Sequence, residues 1–359
     1  MQSISPRLKK IFDYADFDTA IIMNPLQMDS NFLYLSGFYN GIFEMSFIIA
    51  TREKIVLLTS ILEYGLAVKQ KPKEMEVIQF NGREEMSKIL RQYSSGKIVA
   101  VNEEFLPYAF YKFIKKTANP KKIVDAGKAF DMAREIKSTD EIENIKRAVK
   151  ITKAALESIE SDFVNGTTEK QIAAKFDYLM MKNGAEKTAF DSIVSFGSNT
   201  ALPHHMPGDT KLKPNNLVIL DVGAKYHGYC ADITRTFIYK PDKKSLKYKR
   251  MSDMYETVRK AQALGLEMIR PRIDGMDVHK AVANYIDHAK NGIYKGKFIH
   301  ALGHGIGIDV HDNVALSLVH KPIKEGMVMS DEPGIYINGF GGVRIEDDVL
   351  VEKNRGIFL

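Results

Sequence analysis

At 359 residues, 45% of them hydrophobic and 27% charged, the chain has the length for two domains and the composition of an ordinary soluble globular protein. Its net charge of +6 is spread over many lysines, which describes a solvated surface and argues against nucleic acid as a partner. A single cysteine, Cys230, excludes an internal disulfide framework and fits a reducing compartment. The first residues carry no apolar signal core, and no stretch approaches the roughly 20 apolar residues that span a bilayer. A cytoplasmic protein with no membrane partner is expected.

Residues 1–126 alternate short apolar runs with helical spacing. Buried strands are predicted at 20–23, 47–49, 55–58, 77–80 and 98–101, and helices at 83–93 and 106–116. This is the pattern of an α/β domain. It has no clustered histidine, no phosphate-cradling glycine loop and no nucleophile elbow, so it is assigned to scaffolding, substrate gating or dimerisation. A homodimer is the expected assembly.

Asn119-Pro120 and Asp125-Ala126-Gly127 mark a boundary, and a second domain is read over 127–359. Ser138 and Glu141 form a capping box ahead of a long amphipathic helix with Ile142, Ile145, Val149, Leu156 and Ile159 on one face. A second helix starts after Gly166-Thr167 and stops at Asn183-Gly184. Helices at 249–269 and 278–289, then strands from 297 to 351, repeat the order of two helices followed by strands. The expectation is an α+β domain with one mixed sheet backed by helices.

The most informative stretch is 216–237, NLVILDVGAKYHGYCADITRTF, which reads as a β-hairpin. A turn centred on Tyr226-His227 sets Asp221 directly across from Asp232, whereas a turn on His227-Gly228 displaces the pair. Facing carboxylates are destabilising in a sheet, so the hairpin calls for a cation. All nine histidines lie after residue 200, most of them near Gly, Pro and acidic residues. In ALGHGIGIDVHD, His304 sits between two glycines, and His311, an odd seven residues on, falls on the opposite face of any regular strand. In MSDEPGI, Pro333 holds Glu332 extended. In GGVRIEDDVLV, strand alternation sets Arg344, Glu346 and Asp348 on one face. Several carboxylates aimed at one face are costly unless metal ions neutralise them.

Taken together, LDVGAKYHGYCADITRTF, GHGIGIDVHD, SDEPGIY and GGVRIEDD closely resemble the prolidase and aminopeptidase P branch of the pita-bread metallopeptidases. NFLYLSGF, at 31–38, resembles the strand-turn of that family's N-terminal domain. The resemblance implies an α/β N-terminal domain plus an α+β pita-bread catalytic domain that cleaves the peptide bond before proline. It implies two divalent metals on Asp221, Asp232, His304, Glu332 and Glu346, with Asp232 and Glu346 bridging and a water between the metals as nucleophile. Glu332 is the family's general base, and His204 and His311 would stabilise the oxyanion or carry protons. Tyr226 and Arg344 are expected as supporting or substrate contacts, and His205 as structural. The oxygen-rich donor set favours Mn²⁺ or Co²⁺, with Zn²⁺ and Fe²⁺ as alternatives. Prolidases usually follow the second histidine with Pro and then an Arg that reads the substrate carboxylate. Here Asp312, Asn313, Val314 and Ala315 follow, which argues against strict dipeptide recognition. The competing readings are a methionine-type or broader aminopeptidase and a non-catalytic binding relative.

Overall fold

The computed structural model describes residues 5–26 and 28–359. The reading of the N-terminus as lacking an apolar signal core extends, at 1–4, over positions outside this description. The chain divides into two units, Met1–Arg134 and Glu135–Leu359. The division falls eight residues later than the sequence boundary, and the helix Gly127–Glu135 explains why. Phe130 and Ala133 on it are buried, Tyr34 Oη donates to the Ala133 carbonyl at 3.2 Å, and Arg134 reaches Asn31 Oδ1 at 3.1 Å.

In the first unit six strands form one mixed sheet: β1 (Thr19–Asn24), β2 (Ser46–Ala50), β3 (Ile55–Thr59), β4 (Met75–Gln79), β5 (Ile98–Val101) and β6 (Lys122–Asp125). Their order is β4-β3-β2-β1-β5-β6. Every residue of β1, β2 and β3 is buried, as continuous apolar runs demand. The segment NFLYLSGF is not a strand-turn. It forms the helix Ser30–Ser36, because the Asp29 side chain accepts from Phe32 N–H at 2.7 Å and Gly37 closes the end with φ 68°. An unbroken apolar run carries no periodicity to separate helix from strand, so the flanking caps decide.

The second unit opens with the helices Thr139–Ser158 and Glu169–Lys182, each started by a complete capping box: Ser138 with Glu141, and Thr168 with Gln171. The strands β7 (Lys187–Thr188), β8 (Ile193–Phe196), β9 (Asn216–Val222), β10 (Ala224–Tyr226), β11 (Tyr229–Cys230) and β12 (Ile233–Tyr239) follow. Then come the helices Leu246–Met268 and Gly275–Gly292, and the strands β13 (Gly303–Gly305), β14 (Asp312–Leu316), β15 (Val328–Asp331), β16 (Gly334–Ile337), β17 (Gly341–Arg344), β18 (Asp347–Val351) and β19 (Gly356–Phe358). Each helix pair builds its own core. Ile151, Ala155, Ile172 and Phe176 pack with Val194, Val218 and Leu220. Met254, Val258, Val278 and Val282 pack with Leu302, Met329, Val343 and Val349.

The expected single mixed sheet is instead a set of shorter ladders, and every ladder among the described residues of this unit is antiparallel. The ladders change partners at breaks in the strands. At Gly223 the chain passes from β9 to β10, so close to its neighbour that a Cβ there would lie 1.9 Å from the Ala231 carbonyl oxygen. The hairpin turn is centred on His227-Gly228, both with positive φ. Asp221 therefore faces Thr234 and not Asp232. The two aspartates share a face as diagonal neighbours, with Asp232 in the gap between β11 and β12.

Candidate metal centre

Five side chains converge from strand ends and strand breaks. Asp221 is the penultimate residue of β9. Asp232 is fixed by its own N–H, which donates to Asp348 Oδ2 at 3.1 Å. His304 is the middle residue of β13, which runs so close to β15 that a Cβ on Gly303 would lie 2.0 Å from the Ser330 carbonyl oxygen. Glu332 lies between β15 and Pro333, its N–H bonded to the Leu302 carbonyl at 2.8 Å. Glu346 lies in the break between β17 and β18, its N–H bonded to the Thr234 carbonyl at 3.2 Å. That break means 343–351 is not one regular strand, and the simple alternation of Arg344, Glu346 and Asp348 gives way to a bend.

His304 fixes the chemistry of the cluster. Its Nδ1 lies 3.2 Å from the Gly305 carbonyl oxygen, an acceptor, so Nδ1 carries the proton and Nε2 presents a lone pair. Nε2 faces Glu332 Oε1 at 3.4 Å and Asp232 Oδ2 at 3.6 Å. Burial, with His311 next, pushes the His304 pKa down to about 4, so the ring is neutral at pH 7. A lone pair facing two carboxylates lacks only a cation between them. Ligand atoms of Asp232, His304 and Glu346 all lie within 4.8 Å of one another. Asp221 Oδ1, Asp232 Oδ1 and Glu346 Oε1 are buried with no hydrogen-bond partner. Orphaned anionic oxygens are costly in a protein interior, and these residues fit divalent metal ions.

Burial and mutual repulsion raise the acids. Asp232 is held well above the carboxylate range by burial and then by Glu346 and Asp221, and Glu332 by burial and then by Glu346. Glu346 is pushed up to about 8 by burial and then by Asp221. Without metal Glu346 holds its proton at neutral pH, whereas a metal requires its ionised form. Metal binding at pH 7 is therefore expected to release protons, and affinity to climb as pH rises toward 8. Calorimetry in two buffers of different ionisation enthalpy reads this directly, and a binding heat independent of buffer would refute it.

Arg344 is the hub behind the cluster. Its guanidinium pairs with Asp221 Oδ2, donates to Tyr336 Oη at 2.8 Å and donates from Nε to Thr234 Oγ1 at 3.0 Å. Thr234 Oγ1 donates its own hydrogen bond to Glu346 Oε2 at 2.6 Å, and Tyr336 Oη stands 2.9 Å from His300 Nε2. His300 Nδ1 donates to the Ala301 carbonyl at 2.7 Å, which leaves Nε2 to accept from Tyr336. Removing one partner of a buried ion pair costs about 3–5 kcal/mol, so Arg344 is committed to the protein and is not available to a substrate carboxylate. Its partner is Asp221; it reaches Glu346 only through Thr234.

Sequence reasoning missed Thr234, Tyr336 and His300. Tyr336 closes the SDEPGIY stretch and His300 stands four residues before His304, but nothing local distinguishes either from a core residue.

His204 and His311 are both exposed, and His311 borders this cluster. The His311 ring centroid lies 4.1 Å from that of His304. The odd spacing did not separate them because the chain leaves its strand between β13 and β14. Burial lowers the His311 pKa, with His204 next among the causes, so the two rings share one electrostatic environment. Tyr226 is not brought to the centre: it pairs with Tyr229, stacks on His227 at 4.1 Å and lies under the Arg147 guanidinium. His205 turns from the cluster toward Glu169, 2.9 Å away. Val314 and Ala315, read in the sequence as lacking the usual cation, lie outside the described side chains.

One imidazole and four carboxylates gathered at the breaks of an antiparallel sheet define a divalent-metal hydrolase. The chain belongs to metallopeptidase family M24, which residues 143–353 match, and residues 6–136 match the creatinase/prolidase N-terminal domain. It is 35% identical to an Xaa-Pro dipeptidase of Pyrococcus horikoshii over 99% of this chain and 96% of the relative. Among solved structures it is similar to the prolidase of Pyrococcus horikoshii OT3, with TM-score 0.87, 34% identity and coverage of 98% and 97%. It is likewise similar to an X-Pro aminopeptidase of Thermotoga maritima, with TM-score 0.87, 28% identity and coverage of 97% of each chain. The fold is the creatinase-type N-terminal domain joined to the pita-bread catalytic domain.

Proposed function

We propose that this chain is a dinuclear metallopeptidase that hydrolyses the bond before proline in Xaa-Pro dipeptides and short peptides. The observation that carries the reading is the His304 lone pair facing Asp232 and Glu332 amid orphaned carboxylate oxygens. The relatives' names supply the substrate class. Asp221, Asp232, His304, Glu332 and Glu346 would hold the ions. When bound, two such ions supply a water of lowered pKa and Lewis acidity at the scissile carbonyl. The hard donor set favours Mn²⁺ or Co²⁺.

The chain's own residues do the rest. Glu332 Oε1 is engaged by Ser330 Oγ, which leaves Oε2 to take the proton of the attacking water. His311, whose ring packs against that of His304, donates an N–H to the developing oxyanion, and His204 does the same from the loop 196–208. The Arg344-Thr234 bridge holds Asp221 and Glu346 in position. The N-terminal domain argues against a methionine-type aminopeptidase, and the intact donor set against a non-catalytic relative. No helix among the described residues is long and apolar enough to cross a membrane, and the single, buried, unpaired Cys230 supports a cytoplasmic setting. Exposed Ile42, Ile61 and Leu62 on the first unit favour a homodimer, which light scattering checks.

Specificity tests the reading. A strict dipeptidase needs a cation for the free carboxylate, and Arg344 is engaged elsewhere. Ala-Pro and Ala-Pro-Ala should both be cleaved, and Met-Ala-Ala poorly. A kcat/KM preference for Ala-Pro over Ala-Pro-Ala above about 10³-fold, or roughly 4 kcal/mol, would reveal a carboxylate clamp other than Arg344. Efficient cleavage of Met-Ala-Ala alone would sink the proline assignment.

A further inference from the structure

The loop that carries His204 is folded around one carboxylate. Glu169, the first residue of the helix Glu169–Lys182, is fully buried. Its Oε1 accepts from Phe196 N–H at 2.8 Å and from Asn199 Nδ2 at 2.9 Å. Its Oε2 accepts from His205 Nε2 and from Gly208 N–H, each at 2.9 Å. All four donors come from the stretch 196–208, so every lone-pair site of this carboxylate is spent on one loop. The backbone adds to the seam: Glu169 N–H bonds the Thr210 carbonyl at 3.2 Å, and Lys170 N–H the Gly208 carbonyl at 3.1 Å.

Within that loop Leu202 to His205 form a turn closed by His205 N–H on the Leu202 carbonyl at 3.1 Å. Pro203 fixes φ at its second position, and His204 takes the third, projecting corner. Among the described residues no hydrogen bond holds the exposed His204 ring. The turn therefore sets where the residue is presented, and the turn is anchored at its far end by the His205 ring on Glu169. Of the two consecutive histidines, His205 is turned inward as an anchor on Glu169 and His204 is left exposed.

We propose that Glu169 and His205 are positioning residues that aim His204 at the reaction centre. This rests on the reading that His204 acts on the reaction. Glu169→Gln keeps the shape but turns an amide NH₂ toward two donors, so the bond from Phe196 N–H or from Gly208 N–H must be lost. Its kcat should fall about 10–100-fold, the range for groups that orient an acting residue, with KM and bound metal unchanged. His205→Ala should behave alike, and His205→Gln, which restores a donor, should recover most of the loss.

A double-mutant cycle separates positioning from general support. In a His204→Ala background, Glu169→Gln should cost no further kcat. An equal loss in both backgrounds would overturn the inference while leaving the role of His204 intact, as would full kcat in folded Glu169→Gln. Full kcat in His204→Ala alone would remove the reading beneath it. If Glu169→Gln does not fold, the His205 pair carries the same test: equal activity of the Ala and Gln variants overturns the inference.

Discussion

Asp232→Asn is expected to lower kcat/KM by roughly 10³-fold or more, beyond the 10–100-fold typical of losing a group that only supports a ligand. The amide keeps the carboxylate's shape, so the N–H bond to Asp348 survives. What it loses is an anionic oxygen in a place where Oδ1 has no protein partner and Oδ2 faces the His304 lone pair. Bound metal should drop below two ions per chain. Stability should move the other way in metal-free protein. Burial raises the Asp232 pKa, so the folded state binds its proton more tightly than the unfolded state. An acid of that kind contributes stability that falls as pH rises past the unfolded pKa near 4. At pH 7 metal-free Asp232→Asn should therefore melt above metal-free wild type, and the order should reverse once metal is added. Wild-type activity and metal content in the variant would show that Asp232 is not a ligand.

His204→Ala and His311→Ala should each cut kcat by about 10²–10³-fold, the usual consequence of removing one oxyanion donor. Neither should change metal stoichiometry. Both rings are exposed, and His311 packs edge-on against His304 instead of sharing its carboxylate contacts. Loss of an ion in either variant would move that histidine from the oxyanion to the metal.

What could be read in the sequence was whatever depends on local order. The Ser138 capping box, the strands read in the first unit and the acidic strand ends at Asp221, Glu332 and Glu346 are short-range features, and the structure holds them, although the strand read as buried at 77–80 is the partly exposed edge strand β4. The register of the hairpin was not fixed, because it depends on which pair of residues takes positive φ, and both candidate turns contain His227. The helix at Ser30–Ser36 was hidden by an apolar run whose caps, Asp29 and Gly37, lie outside the run itself. His304 and His311 were separated on paper by assuming a regular strand, and a break between β13 and β14 brings them together. The bridge from Arg344 through Thr234 to Glu346, and the clamp of Glu169 on His205, join residues 36 to 112 positions apart. No spacing rule reaches that far.

The most direct test of a metal-dependent Xaa-Pro peptidase is a titration of the intact, metal-stripped chain with Mn²⁺, reading bound metal and Ala-Pro hydrolysis on the same samples. Hydrolysis should be absent at zero metal and should plateau when two ions are bound per chain. Full hydrolysis by metal-free protein would contradict the dinuclear mechanism, and so would a chain that binds two ions and cleaves no Xaa-Pro bond.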